Sequence, residues 1–174
     1  RNWFFRLSAY QERLERHFAE HPDGVAPDYR RNEVLGFLKH NTLEDLCISR
    51  NRDRLSWGVP LPFDDKYVCY VWVDALFNYK SAIGYLSADA AERERHARWW
   101  PADVHIIGKD ITRFHCVIWP AMLMAAGVPL PKMVFAHGFL SVEGEKMSKT
   151  RGTFVEPSQV LEKFSGEVLR YYLL

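Results

Sequence analysis

Apolar residues recur at three- and four-residue steps through Trp3, Leu7, Tyr10, Leu14 and Phe18, the period of one helix face. With Asn2 ahead of them as a cap, they predict a helix over residues 2–19, stopped by His21-Pro22-Asp23-Gly24. A second helix is expected over 31–39. Residues 43–50 alternate and predict a short strand, and proline and glycine crowd 56–62 into a loop. The pattern then changes. Tyr67-Val68-Cys69-Tyr70-Val71-Trp72-Val73 is nearly continuously apolar, as in a central strand buried on both faces. Asp74 is the expected cap of a helix over 74–86, and a polar helix over 88–99 ends at Pro101. Val104-His105-Ile106-Ile107 predicts a second buried strand. Gly108-Lys109-Asp110 then turns into a helix over 111–126, which Pro120 should kink. Met133-Val134-Phe135-Ala136 predicts a third strand and 139–142 a fourth. Pro157 opens a last helical region, with Gly166 as a break.

Strand, helix, strand, helix, strand is a βαβαβ half-unit, with right-handed crossovers and a parallel sheet. The fold class is therefore α/β. Such sheets bind ligands at the carboxyl ends of their strands, and the candidate motifs are expected there.

Composition narrows this little. At 174 residues, 48% hydrophobic and 14% aromatic, the chain can bury a real core and is not disordered. Lys+Arg 23 against Asp+Glu 22 gives no general basic field, so overall charge carries no argument for nucleic-acid binding. Cys47, Cys69 and Cys116 are scattered without a Cys-x-x-Cys pair, so neither a zinc knuckle nor a disulfide framework is indicated, and reduced thiols in the cytoplasm are expected. No apolar run reaches membrane-spanning length, so no membrane partner is expected. The chain begins at Arg1, and Leu169-Arg170-Tyr171-Tyr172-Leu173-Leu174 reads as a helix still in progress, so it is expected to be a piece of a longer protein.

The most specific stretch is Gly144-Glu145-Lys146-Met147-Ser148-Lys149-Thr150-Arg151-Gly152. Glycines bracket two lysines three apart. Such a loop can close over an anion, and its ammonium groups can neutralise charge developing on phosphate oxygens; an arbitrary loop of this composition simply faces water. Gly108-Lys109-Asp110 sits at a strand-to-helix turn, where amides are free and a carboxylate can accept bonds from a ribose diol; a plain helix cap reads the same way. Trp72, Ala75, Tyr79, Ile111 and His115 can wall an apolar pocket suited to a thioether, although aromatics at this spacing are more often core. Ala136-His137-Gly138-Phe139 follows a strand, where His137 and Gly138 suit a nucleotide base or a simple bend. Arg50 near a strand end is a possible phosphate or carboxylate contact, or a surface arginine. His105, His115 and Cys116 make no convincing metal set, and no Walker loop, dinucleotide fingerprint or serine elbow occurs.

In order and spacing, Trp3-Phe4-Phe5-Arg6-Leu7-Ser8, Ile48-Ser49-Arg50, Tyr70-Val71-Trp72-Val73-Asp74-Ala75-Leu76, Ile106-Ile107-Gly108-Lys109-Asp110, Phe114-His115, Trp119-Pro120-Ala121-Met122-Leu123, His137-Gly138 and the run from Lys146 to Gly152 resemble the methionyl branch of the class I aminoacyl-tRNA synthetases, over nearly the whole chain. Thr150 stands where that family's loop ends in Ser. The resemblance implies half of a doubly wound, Rossmann-like parallel sheet. It implies ATP-dependent activation of methionine and transfer to the 3′ end of tRNA(Met), with Mg2+ accompanying ATP. It also implies site roles: Trp72, Ala75, Tyr79, Ile111 and His115 around methionine; Gly108 and Asp110 at the ribose; His137, Gly138 and Leu140 at the adenine; Lys149, helped by Lys146, at the transition state. The family's His-x-Gly-His string and its zinc-binding insertion are absent from this stretch. The expected partner is therefore an N-terminal half of the same enzyme, and the fragment alone is expected to be inactive. The expected domains are a connecting segment over 1–66, the second half of the nucleotide-binding fold over 67–143, and the mobile loop with the start of a helical region over 144–174. A non-catalytic nucleotide- or RNA-binding module and a sister class I synthetase remain alternatives.

Overall fold

A computed structural model describes residues 2–173. The chain divides into two units, one ending at His137 and one beginning at Gly138. The first carries β1 (Phe4–Phe5), α1 (Gln11–Glu20), β2 (Val25–Ala26), α2 (Asp28–His40), β3 (Leu46–Cys47), β4 (Ser49–Asn51), β5 (Pro60–Leu61) and β6 (Asp64–Cys69). It continues through α3 (Val71–Ser81), α4 (Ala90–Trp99), β7 (His105–Gly108), α5 (Trp119–Ala125) and β8 (Val134–His137). The second carries β9 (Ser141–Val142), β10 (Glu145–Lys146), α6 (Pro157–Leu161) and α7 (Gly166–Leu173).

The sheet that positions the chemistry is parallel, in the order β2-β8-β7. Val25, Val134, Ala136 and Ile107 point from it into a core completed by Leu14 and Phe18 of α1 and Val34 and Leu38 of α2. Each helix pair of core residues is four apart, one turn on one face. The architecture is α/β with a parallel sheet and flanking helices, as the sequence implies.

Several expectations need correction. Asn2 does not cap a helix: Phe4 and Phe5 pair antiparallel with Cys47 and Leu46, the Trp3 N–H donates to Ser49 Oγ at 2.8 Å, and the helix starts only at Gln11. Long-range pairing overrides the local period there. The run 67–73 is not one central strand. Its strand is Asp64–Cys69, antiparallel between β4 and β5 in a separate small sheet, and Val71–Val73 are already the first turn of α3. A continuous apolar run cannot tell a strand end from a buried helix start. The loop expected at 56–62 accordingly includes β5.

The third parallel strand is instead β2, two residues between Gly24 and Pro27, too short for any periodicity to signal. Helix α3 stops at Ser81 rather than 86, and Asp74 lies inside its first turn. Strand β7 is buried on one face only, with Ile106 71% exposed. The strand expected at 139–142 begins at Ser141. The helical end continues through Leu173, and Leu174 lies outside the described residues.

The helix after β7 departs from the ideal where Pro120 demands it. It opens as a 3-10 turn over Lys109–Ile111, widens to a π-helix over Phe114–Ile118 and becomes α-helical at Trp119. Proline offers no N–H and its ring crowds the carbonyl four residues back. The wide turn, closed by the Trp119 N–H on Phe114 O, absorbs that mismatch. It carries Phe114, His115 and Cys116.

Candidate active site

Parallel strands deliver their carboxyl ends to one edge of a sheet. At that edge Gly108, the last residue of β7, is the register partner of His137, the last of β8. Asp110 folds back over Gly108: a Cβ on Gly108 would lie 2.7 Å from Asp110 Oδ1 and 4.0 Å from His137 Cε1. The φ of Gly108 is −71°, open to any residue, so space rather than backbone freedom calls for glycine here. Thr112 Oγ1 donates to Lys109 O at 2.8 Å and holds the turn. Asp110 and His137 are exposed, and a cavity of about 440 Å³ lined by Glu33, Phe37, Lys109, Asp110 and Arg113 opens beside Asp110. An exposed carboxylate, an exposed imidazole and a strand end without side-chain bulk suit the hydroxyls and flat base of a nucleoside.

The aromatic set assembles around α3 and the π-turn. Tyr79 Oη and His115 Nε2 are 2.8 Å apart, and His115 Nδ1 lies 3.0 Å from Ile111 O. A carbonyl only accepts, so Nδ1 carries the hydrogen and Nε2 accepts from the Tyr79 hydroxyl. Burial lowers the pKa of His115, only partly opposed by the Ile111 bond, and burial raises that of Tyr79. Both groups are therefore uncharged at neutral pH. Trp72 stacks on Phe114 with centroids 3.8 Å apart, and Ala75 lies one turn before Tyr79 on α3. Of the five expected pocket residues, Tyr79, His115 and Ile111 are directly bonded, and Trp72 reaches the π-turn through Phe114. The set is apolar apart from the neutral Tyr79–His115 pair.

In the second unit, β9 and β10 form a hairpin in which Glu143 and Gly144 have φ of 53° and 83°, the twist of a tight two-residue turn that glycine eases. The Met147 N–H donates to Leu140 O at 2.9 Å. Past the hairpin, Thr153 ties the loop: its Oγ1 accepts the Ser148 N–H at 3.0 Å, and its own N–H donates to Ser148 O at 3.1 Å. Lys146 Nζ lies 3.6 Å from the Phe139 ring centroid and Lys149 Nζ 4.8 Å from that of Phe154. Glu145 pairs with Arg151 at 3.0 Å. Both ammonium groups thus rest on aromatic faces while the neighbouring carboxylate is taken by the arginine.

The family model for tRNA synthetases class I (M) matches residues 1–174. The chain belongs to this family. It is 51% identical over 172 residues to a methionine–tRNA ligase of Caldanaerobacter subterraneus subsp. tengcongensis, covering 99% of this chain and 26% of that protein. It is 53% identical over 173 residues to that of Thermotoga maritima, with the same coverage. Mycobacterium tuberculosis methionyl-tRNA synthetase bound by methionyl-adenylate matches it with a TM-score of 0.89 and 48% identity, over 99% of this chain and 32% of that one. The chain thus spans between 26% and 32% of the length of these relatives.

Within this family member, Arg50 sits on β4 of the small antiparallel sheet rather than at a parallel strand end. Its Nη1 donates to Ser49 O at 2.7 Å, and its guanidinium lies 4.4 Å from the Tyr70 ring centroid. Cys116 is buried, its thiol pushed up to about 12 by burial, and among the described residues no group of three metal-ligating side chains converges. No described helix is long and apolar enough to cross a membrane. Two residues drew no role from the sequence. His105 is the one polar side chain in an otherwise apolar strand motif, which was its only signal. Lys80 is fully buried between Tyr85 and Trp100, and nothing in its local sequence marks it.

Proposed function

We propose that the full protein is a methionine–tRNA ligase, which joins methionine to the α-phosphate of ATP, releases pyrophosphate and passes methionine to the 3′ end of tRNA(Met). The observation that carries this reading is the pairing, within one unit, of a strand end where Gly108, Asp110 and His137 meet with an uncharged Tyr79–His115 pair beside the Trp72–Phe114 stack. An apolar pocket with one polar tip suits a thioether, since sulfur favours aromatic edges by about 0.3–1.5 kcal/mol. Family membership and the methionyl-adenylate seen in the Mycobacterium tuberculosis relative support the same reading.

The roles follow. Trp72, Ala75, Tyr79, Ile111 and His115 hold the methionine side chain. Gly108 and Asp110 take the ribose, and His137, Gly138 and Leu140 take the adenine. Lys149, with Lys146, neutralises charge on the phosphates as the α-phosphorus is attacked. The methionine carboxylate is itself the nucleophile, so no general base is needed, and catalysis is positioning and charge neutralisation. Mg2+ enters as part of the substrate, on ATP phosphate oxygens. Arg50 remains a candidate carboxylate or phosphate contact through the nitrogens not used on Ser49. The domain limits are inferred as a connecting segment over 1–66, the second half of the nucleotide fold over 67–143 and the loop region over 144–174. We infer that the missing amino-terminal half supplies the remaining ATP and methionine contacts, that this fragment is inactive without it, and that the enzyme works in the cytoplasm.

Methionine-dependent ATP–pyrophosphate exchange by the full-length protein tests this. Exchange that requires methionine and falls about a hundred- to a thousand-fold in Lys149→Ala is expected. Exchange driven by another amino acid, or none from folded protein, overturns the reading.

A further inference from the structure

His105 opens β7 and is buried, with a relative exposure of 6%. Its ring lies against that of Tyr79, centroids 4.3 Å apart and planes inclined by 39°, and 6.0 Å from that of His115. On its other side Trp119 Nε1 donates to His105 Nε2 at 3.4 Å. An indole N–H can only donate, so Nε2 is an acceptor and the imidazole carries its one hydrogen on Nδ1. The bonds therefore fall into two fixed links, Trp119 to His105 and Tyr79 through His115 to Ile111. The face of His105 against Tyr79 joins them.

Among the described residues the side chain of Tyr79 is hydrogen-bonded at its tip alone, through Oη. A phenol ring so held can still pivot about that bond unless something fills the space behind its face. His105 fills it, and Trp119, wholly buried at the start of α5, fixes His105 in turn. A flat ring is the right shape for the task, because its face lies along that of the phenol at 4.3 Å and blocks the pivot. An aliphatic side chain of similar volume would fill the space but not set the ring angle.

We propose that His105 is a positioning residue for the amino-acid pocket: it acts through Tyr79, setting the angle of the phenol ring and hence the bond to His115 that forms the pocket's polar tip. The proposal rests on the methionine–tRNA ligase reading. Among the described residues the His105 ring meets Tyr79, His115, Trp100 and Trp119, all on the aromatic side and none at Gly108 or Asp110, so the effect belongs to methionine and not to ATP.

The test is ATP–pyrophosphate exchange by the full-length protein with methionine and ATP varied separately, alongside thermal melts followed by circular dichroism. His105→Leu fills the volume without a ring. His105→Phe restores the ring without the acceptor. The Leu variant is expected to raise the methionine KM about five- to ten-fold with the ATP KM within about two-fold, and the Phe variant is expected to return most of that loss. A Leu variant that does not melt cooperatively is replaced by His105→Ala and read the same way. An unchanged methionine KM, equal rises in both KM values, or a Phe variant no better than Leu overturns the proposal. Wild-type protein without methionine-dependent exchange overturns the ligase reading instead, so the two failures are distinct.

Discussion

Asp110 folds its carboxylate over Gly108 so closely that a methyl group there would stand 2.7 Å from Oδ1. A real Cβ never tolerates that approach, so Gly108→Ala must push Asp110 aside. Backbone strain plays no part, since the φ of −71° suits alanine. If Asp110 binds a ribose hydroxyl, the displaced carboxylate loses a charge-assisted bond of about 1.5–3 kcal/mol. The expected result is an ATP KM raised roughly ten-fold or more with the methionine KM unchanged, read from exchange kinetics of the full-length protein.

The loop after β10 yields a second expectation. Thr153 both accepts from and donates to Ser148, fixing the backbone between the two lysines and Gly152. Thr153→Val keeps the volume and the main-chain bond but leaves the Ser148 N–H without its partner, at a cost of about 1 kcal/mol. The exchange rate should fall several-fold with both substrate KM values nearly constant. Thr153→Ser, which restores the hydroxyl, should recover it. Failure of serine to recover the rate would count against the role of this tie.

These two sites were legible in the sequence to different degrees. Gly108-Lys109-Asp110 could be placed at a strand-to-helix turn, which is where it lies, but its residues fit a plain helix cap as well as a ribose contact. The lysine loop stood out through the Lys146-Met147-Ser148-Lys149-Thr150 string and the family it resembles, because its glycines and charges alone fit a solvated hairpin. The sheet around them was less legible. β2 is two residues long, below any periodicity, and it displaced the 67–73 run from the parallel sheet. That run misled because a strand tail and a buried helix start are both continuously apolar. The π-turn at Phe114–Ile118 was half visible: Pro120 announced a distortion, but not that it would widen the turn bearing His115. The pairing of Tyr79 with His115 spans 36 positions, and no local pattern encodes a contact at that range. His105 and Lys80 escaped for the same reason.

Burial makes His105 resist protonation. Its pKa drops from 6.5 to about 4, through loss of water first and the nearby His115 second, and that of His115 is lowered too. Unfolded, both rings take up protons near pH 6.5. Between pH 6.5 and 4 the unfolded chain therefore binds more protons than the folded one, and stability falls as pH falls through that window. The share from His105 is on the order of 2–3 kcal/mol by pH 4. Melts of wild type and His105→Phe at intervals from pH 7.5 to 4 should converge toward or cross in favour of the variant as acid is added. A constant gap between them would show that His105 is not the titrating group.

Lys80 presents the same desolvation problem at a higher pH, and it makes the sharper test. Its ammonium is wholly buried, with no hydrogen-bond acceptor among the described residues. It faces the Tyr85 ring at 3.8 Å and the Trp100 ring at 4.7 Å, with His96 stacked beyond Trp100. Two desolvated cation–π contacts return about 2 kcal/mol or more, less than the water they replace, and the pKa falls from 10.5 to about 8. A lowered lysine pKa destabilises the fold wherever the amine is charged in both states, so the penalty is complete below pH 8. Between pH 8 and 10.5 the folded amine is neutral while the unfolded one still holds its proton, and stability rises with pH across that interval. Lys80→Met, which keeps the stem and removes the charge, should therefore raise stability at pH 7 by about 1–3 kcal/mol. It should also abolish the rise above pH 8. A variant less stable than wild type at pH 7, measured by denaturant unfolding, would mean that the two aromatic rings more than offset the lost hydration.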